Sequence, residues 1–279
     1  MSEATQAPEL APGFYPDIAA EVYHKWEAVS CSLILPFRQS AAHAYHDMMH
    51  PRPATEFMDV GTATHCIALE PEEFAKRVIE APFQERTVGK KKKAWEAQAE
   101  EHPGKIQLRP AQMRAVMGMR QALFRHPFAR ELLQAPGKNE CCMVWRGEET
   151  GLLCKSRSDK LAQLPSYSAI VDLKKCQSAA KYAFQRHAAD FQYHVRAAWY
   201  LDGADVLQPA TRRHFLVAVE EKAPHCVAVF EYDDMALYSG RIDYRRYMTL
   251  YKKCIESNEW PGYHEDEQLL TVPAYMQRT

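Results

Sequence analysis

Ser168-Ala-Ile-Val-Asp-Leu-Lys-Lys175 is a β-branched, apolar run that ends in charge. It reads as a strand, and on a strand alternate side chains share one face. Asp172 and Lys174 therefore project together, about 7 Å apart along the chain. Just upstream, Glu140–Trp145 and Leu152–Leu161 are short strand-like runs split by Gly147-Glu-Glu-Thr-Gly151, a hairpin signature. Asp159 closes the second run. If 152–161 lies beside 168–174, Asp159 reaches the same spot as Asp172. The competing reading is that Asp172 and Lys174 are strand-end charges facing solvent.

Outward from this stretch, the C-terminal half alternates. Helical patterns are expected at Ser178–Ala189 and Tyr193–Leu201, strands at His214–Glu220 and Cys226–Tyr232, and a last helix at about Asp234–Ile255. The N-terminal half reads mainly helical. Ser40 can cap a helix to about Met49, which Pro51 and Pro53 break. Glu56–Leu69 is a second helix, Pro71 opens a short turn, and Lys91–Glu101 and Pro110–Phe124 are charged and amphipathic. The order implies an α/β (α+β) core with a mixed central sheet flanked by helices and an N-terminal helical elaboration. Residues 1–27 are expected to be a partly disordered lead-in. Residues 28–279 are expected to form one domain, helical over about 28–135 and sheet-based over about 136–260.

The 279 residues carry a formal net charge of -1, so a nucleic-acid enzyme of this composition must gather its basic residues locally. The hydrophobic fraction of 47% is ordinary for a globular protein. No apolar run is long enough to span a bilayer, and Met1–Pro16 lacks the pattern of a signal peptide. The eight cysteines form no C-x-x-C pair, which argues against a zinc ribbon or an iron–sulfur cluster and for reduced, buried thiols. No Walker-type phosphate loop occurs, so no nucleotide cofactor is expected. Trp95, Trp145 and Trp199 are expected in the core.

Two carboxylates, Asp159 and Asp172, plus the Leu173 carbonyl would make an oxygen-rich cradle for Mg²⁺. Such an ion activates a water and stabilises charge on a scissile phosphate, and Lys174 could orient either.

These segments, in this order, resemble the RecE-type exonucleases (the exonuclease VIII nuclease domain and its phage relatives) of the PD-(D/E)xK superfamily. The resemblance covers roughly residues 28–255. It rests on Gly61-Thr-Ala-Thr-His65 with Leu69-Glu70-Pro71, Gly89-Lys90 with Trp95, Glu140 and Trp145, Thr150-Gly151 through Asp159, Asp172-Leu-Lys174, Tyr193-His-Val-Arg196 through Tyr200, and Val219-Glu220 through Phe230. It implies a restriction-endonuclease-like core in which Asp159, Asp172 and the Leu173 carbonyl bind metal. His65 is then a further ligand, Lys174 an assistant to the attacking water, and Glu140 an additional acid. Arg157, Arg196 and Tyr200 are then DNA contacts, Lys175 is a DNA contact or a solvated charge, and Lys91, within the run Lys90–Lys93, belongs either to a solvated helix start or to a phosphate-tracking patch. Two positions depart from the family pattern. Arg196 stands where Gln is usual, and Lys175 stands where a small Thr is common.

The activity implied is a Mg²⁺-dependent 5′-to-3′ exonuclease, with Mn²⁺ a possible substitute. It would act on double-stranded DNA ends and leave 3′ single strands for recombination. A homo-oligomeric ring, a RecT-like single-strand annealing partner and a bacterial cytosol reached through phage or prophage go with it. A structure-specific endonuclease on the same fold, or a non-catalytic DNA-binding or assembly protein, are the alternatives.

Overall fold

Alternation along the central strand sorts its side chains onto two faces, and both faces are covered. Ala169, Val171 and Leu173 enter one apolar cluster, while Ile170 enters another on the opposite side. Asp172 and Lys174 share the face of Ile170, as the period of two requires.

The computed structural model describes residues 10–51, 55–86, 89–263 and 268–272. The chain begins with β1 (Gly13–Tyr15), α1 (Ala20–Lys25), β2 (Val29–Ser30) and α2 (Cys31–Ile34), and continues through a short 3-10 turn, Leu35–Arg38. Next come α3 (Ala41–Met49), α4 (Glu56–Leu69), α5 (Pro71–Arg77), β3 (Val78–Glu80), α6 (Lys90–Glu101), β4 (Ile106–Leu108), α7 (Pro110–Arg125) and α8 (Pro127–Gln134). The sheet core follows with β5 (Gly137–Arg146), β6 (Leu153–Gln163) and β7 (Ser168–Cys176), then α9 (Lys181–Asp190) and α10 (Tyr193–Leu207). It closes with β8 (Arg212–Glu220), β9 (Val227–Glu231) and α11 (Asp234–Ser257).

The main sheet has seven strands in the order β1-β5-β6-β7-β8-β9, with β2 on β6; β3 and β4 form a separate pair. The sheet is mixed, because β7 and β8 are parallel while β5-β6-β7 and β8-β9 are antiparallel. Parallel neighbours need a crossover, and α9 with α10 supplies it. One face packs on α4, α7 and α8 through residues such as Val60, Val116, Leu123 and Leu132. The other packs on α10 and α11 through Trp199, Tyr247 and Met248. Trp95, Trp145 and Trp199 are all buried, as expected. Truncating a fully buried Trp such as Trp199 to Ala would cost about 3–5 kcal/mol.

The expected elements form, and three points differ. Residues 13–15 and 29–30 join the main sheet, so part of the expected lead-in is structural. Pro71 opens a two-turn helix rather than a turn. Asp159 does not end its strand, because β6 runs on to Gln163. Pro53, at the expected helix break, lies outside the described residues. No helix among the described residues is long and apolar enough to cross a membrane.

Candidate metal centre

Strand β6 has two edges. One pairs with β5 along its length, from Gly137↔Ala162 to Arg146↔Leu153. The other pairs with β7 only at 160–163, and with β2 only at Val29↔Cys154 and Ser30↔Lys155. Between these, β6 and β7 diverge, and residues 156–159 present an edge that no described strand covers. Backbone groups there still need partners. The Tyr200 hydroxyl donates to the Arg157 carbonyl at 3.3 Å, and Trp199 Nε1 donates to the Lys155 carbonyl at 3.2 Å. Across the fork, Asp159 Oδ2 accepts the Leu173 N–H at 2.7 Å. A carboxylate thus takes the place of a ladder bond where the strands part.

The fork gathers charge from both layers. From α4, His65 Nδ1 lies 3.5 Å from Asp159 Oδ2. From β5, Glu140 stands between two paired residues in a left-handed conformation, φ 49°, and its Oε2 lies 3.1 Å from Arg157. One ligand atom each from His65, Glu140 and Asp159 fall within 4.8 Å of one another, close enough to hold one cation. Asp172 is outside that triplet. Its Oδ1 accepts from Lys174 Nζ at 2.5 Å, and Lys174 Nζ also lies over the Tyr193 ring, 5.4 Å from its centroid.

The electrostatics show a site short of positive charge. Burial pushes the Glu140 carboxyl up to about 7, and the Asp159 charge adds to the push against Arg157. Burial also opposes ionisation of Asp159, yet His65, Lys174 and the Leu173 N–H outweigh it and hold that carboxyl well below its usual range. Burial works against an imidazolium at His65, but Asp159 overcomes it and raises the ring above its ordinary value. Asp172 Oδ2 is buried with no hydrogen-bond partner. An orphaned carboxylate oxygen costs several kcal/mol at most sites, so its retention here fits a cation ligand. The donor set is one imidazole and three carboxylates, which suits a hard or borderline divalent ion.

The other expected site residues are placed differently. Lys175 is on the face opposite Asp172 and Lys174: its side chain is 3% exposed and paired with Glu221, because odd positions of β7 face the other layer. Tyr200 is 7% exposed and its hydroxyl is committed to the Arg157 carbonyl, so its role is to satisfy the fork. Arg157 is engaged by Glu140 within the centre. Lys91 pairs with Glu85 at 2.8 Å on an exposed surface, and nothing ties it to the centre. Arg196 is half-buried; burial opposes its charge, but the Tyr200 and Asp172 environment keeps it strongly cationic. Its Nε is buried and has no hydrogen-bond partner.

Two neighbours escaped sequence reasoning. Tyr193 opens α10 beneath Lys174. His214 lies buried on β8 beside Tyr200, at 6.2 Å between rings, and burial lowers it to about 4. Tyr193 opens the segment Tyr193–Tyr200 of the family resemblance, which gives it no role, whereas His214 sits in no motif and only the pairing of β7 with β8 could have found it.

A family model described as a PDDEXK-like domain of unknown function (DUF3799) matches residues 30–271. Among solved structures, a protein of Eubacterium rectale, provisionally described as an exonuclease, superposes with a TM-score of 0.61 at 14% identity, covering 92% of this chain and 95% of that one. A second, SSO0001, aligns at 13% identity with a TM-score of 0.30, over 71% of this chain and 86% of that one. No curated protein matches significantly. The first superposition carries the fold, and the second carries no argument.

Proposed function

The chain belongs to the PDDEXK-like family DUF3799, and on that premise we propose that it is a divalent-metal-dependent exonuclease acting 5′-to-3′ on double-stranded DNA ends. The observation that carries this reading is the fork. Asp159, bonded to the Leu173 N–H, faces Asp172, whose free buried oxygen stands beside Lys174. His65, Glu140, Asp159 and Asp172, with the Leu173 carbonyl, would hold the ion, Mg²⁺ being the expected one and Mn²⁺ a substitute. A bound divalent ion supplies Lewis-acid stabilisation of the scissile phosphate and an acidified water. The residues do the rest. Lys174, tethered by Asp172, keeps an ammonium at the mouth of the fork to position water or phosphate. Arg196 keeps a guanidinium charge beside the fork, where the RecE-type resemblance implies a DNA-backbone contact. Asp159 accepts the Leu173 N–H, and the Leu173 carbonyl is the further oxygen that the resemblance assigns to the ion.

The provisional description of the Eubacterium rectale protein agrees with an exonuclease but, at that identity, supports only the fold. The closed ring, the annealing partner and a bacterial cytosolic, phage-derived setting remain part of the proposal, resting on the RecE-type resemblance. The test is a time course on linear DNA labelled at either end, with Mg²⁺ and with chelator. The expected result is metal-dependent release from 5′ ends that covalently closed circles escape. Cleavage of closed circles would move the reading to an endonuclease. Asp172→Ala is expected to lose metal-dependent cleavage by at least 100-fold while remaining folded by circular dichroism; unchanged cleavage would remove Asp172 from the site.

A further inference from the structure

Beside the metal centre, the corner between α9 and α10 carries aromatic rings that the fold does not need to expose. Gln192 adopts a left-handed conformation, φ 53°, which turns the chain sharply and brings Phe191 next to Tyr193. The Phe191 ring lies 5.9 Å from Tyr193 and 4.6 Å from His187. The Tyr193 hydroxyl and His187 Nε2 are 3.3 Å apart, and Phe184 stacks behind them on Phe230 at 4.8 Å and 9°. The inner end of this row touches the catalytic lysine, since Lys174 Nζ sits over Tyr193. The outer end is open, with Phe191 56% exposed.

A single exposed apolar residue is ordinary. Phe191 is distinguished by being the free face of a rigid ring row that ends at Lys174. Its surroundings are also basic. Arg38, exposed, donates to the Asp190 carbonyl at 3.2 Å, one residue away. Arg186 is exposed on α9, and Lys181 is exposed at the far end of that helix, about 15 Å from Phe191 along its axis. Asp190 is the one opposing charge on α9. A flat aromatic face with a guanidinium beside it, one step from the proposed phosphodiester-cleaving centre, matches an unpaired nucleotide: the base stacks and the phosphate meets a cation.

We propose that Phe191, backed by His187 and Tyr193, is a stacking platform for an unpaired base of the DNA strand entering the centre, with Arg38 on its phosphate. The proposal rests on the nuclease reading and deepens it by giving the site a hold on the frayed strand at the end of a duplex. Phe191 would be a positioning residue, because it touches a base and not the reacting atoms.

The experiment uses the full chain, Ca²⁺ in place of Mg²⁺ and short single-stranded oligonucleotides carrying 2-aminopurine at successive positions from the 5′ end. Quenching at one position, with a Kd raised about tenfold in Phe191→Ala and restored in Phe191→Trp, is the expected result; tenfold corresponds to about 1.4 kcal/mol, within the range of one base–aromatic stack. An abasic residue at that position should weaken binding to the wild type but not to Phe191→Ala. Equal affinity of wild type and Phe191→Ala, or quenching that Phe191→Ala leaves intact, would overturn the platform. Loss of affinity for a protein ligand but none for oligonucleotides would also overturn it, in favour of a protein-docking corner. If the wild type shows no metal-dependent cleavage yet binds oligonucleotides through Phe191, the platform stands and the nuclease reading falls.

Discussion

Asp159 and Asp172 are both buried carboxylates, but their oxygens are held in opposite ways. Asp159 is tied to Leu173 and His65, whereas Asp172 gives one oxygen to Lys174 and keeps the other unbonded. The alternation of Asp172-Leu-Lys174 made their shared face legible from the chain alone, since it follows from a period of two. That Glu140 joins His65 and Asp159 came only from the family resemblance; no local pattern marks it, and in the fold Glu140 adopts a left-handed conformation within β5. His214 supplies a residue-scale test. Burial holds its ring near pKa 4 in the fold, against about 6.5 in the unfolded chain, so the unfolded state binds the proton first. Stability is therefore complete above about pH 6.5 and falls as pH drops toward 4, by a loss on the order of 3 kcal/mol. In His214→Leu this part of the acid loss should vanish from urea midpoints measured across that window. Both ring nitrogens lack partners, so the substitution should also be neutral or stabilising at pH 7.5. An unchanged acid slope would mean the ring titrates normally.

At the scale of elements, the strands with strong alternation and the helices with clear caps were readable. Ser40 caps α3 and the hairpin turns where its glycines stand. What was not readable is β2. Two residues have no periodicity, and their pairing with β6 is imposed by tertiary contact. The Lys175 and Tyr200 expectations failed for a related reason. Residue type and nearness to a motif say nothing about which layer a side chain enters, and pleat parity with strand splitting decided both. The crossing of α10 and α11 depends on Gly240, where an added Cβ would lie 2.5 Å from the His194 carbonyl oxygen. Backbone cannot yield as a flexible side chain can. Gly240→Ala should destabilise by about 1–3 kcal/mol in denaturant melts. Because α10 carries Trp199 and Tyr200 to the fork, cleavage should weaken with it. A stable, fully active variant would show that the helices slide freely.

At the scale of the molecule, residues 13–30 stretch from the outer edge of the sheet, where β1 pairs with β5, to the fork, where β2 enters. Lys155 fastens this strap from below. Its buried ammonium donates to the Tyr23 carbonyl at 2.9 Å and the Trp26 carbonyl at 2.8 Å, and lies over the Tyr23 ring. Lys155→Met would strand those acceptors and should cost about 1–3 kcal/mol. Limited proteolysis would then cut between residues 17 and 28 before any other site. Protection equal to the wild type would show that β1 and β2 hold alone. The strap also sets an order of events during synthesis. Residues 13–15 and 29–30 leave the ribosome early, but the strand positions they pair with, 142–144 and 154–155, are made more than a hundred residues later. Long-range pairings of this kind are slow to close. The nascent chain must therefore carry residues 13–30 unpaired until the central hairpin arrives, and the edge of the fork that β2 borders is closed late.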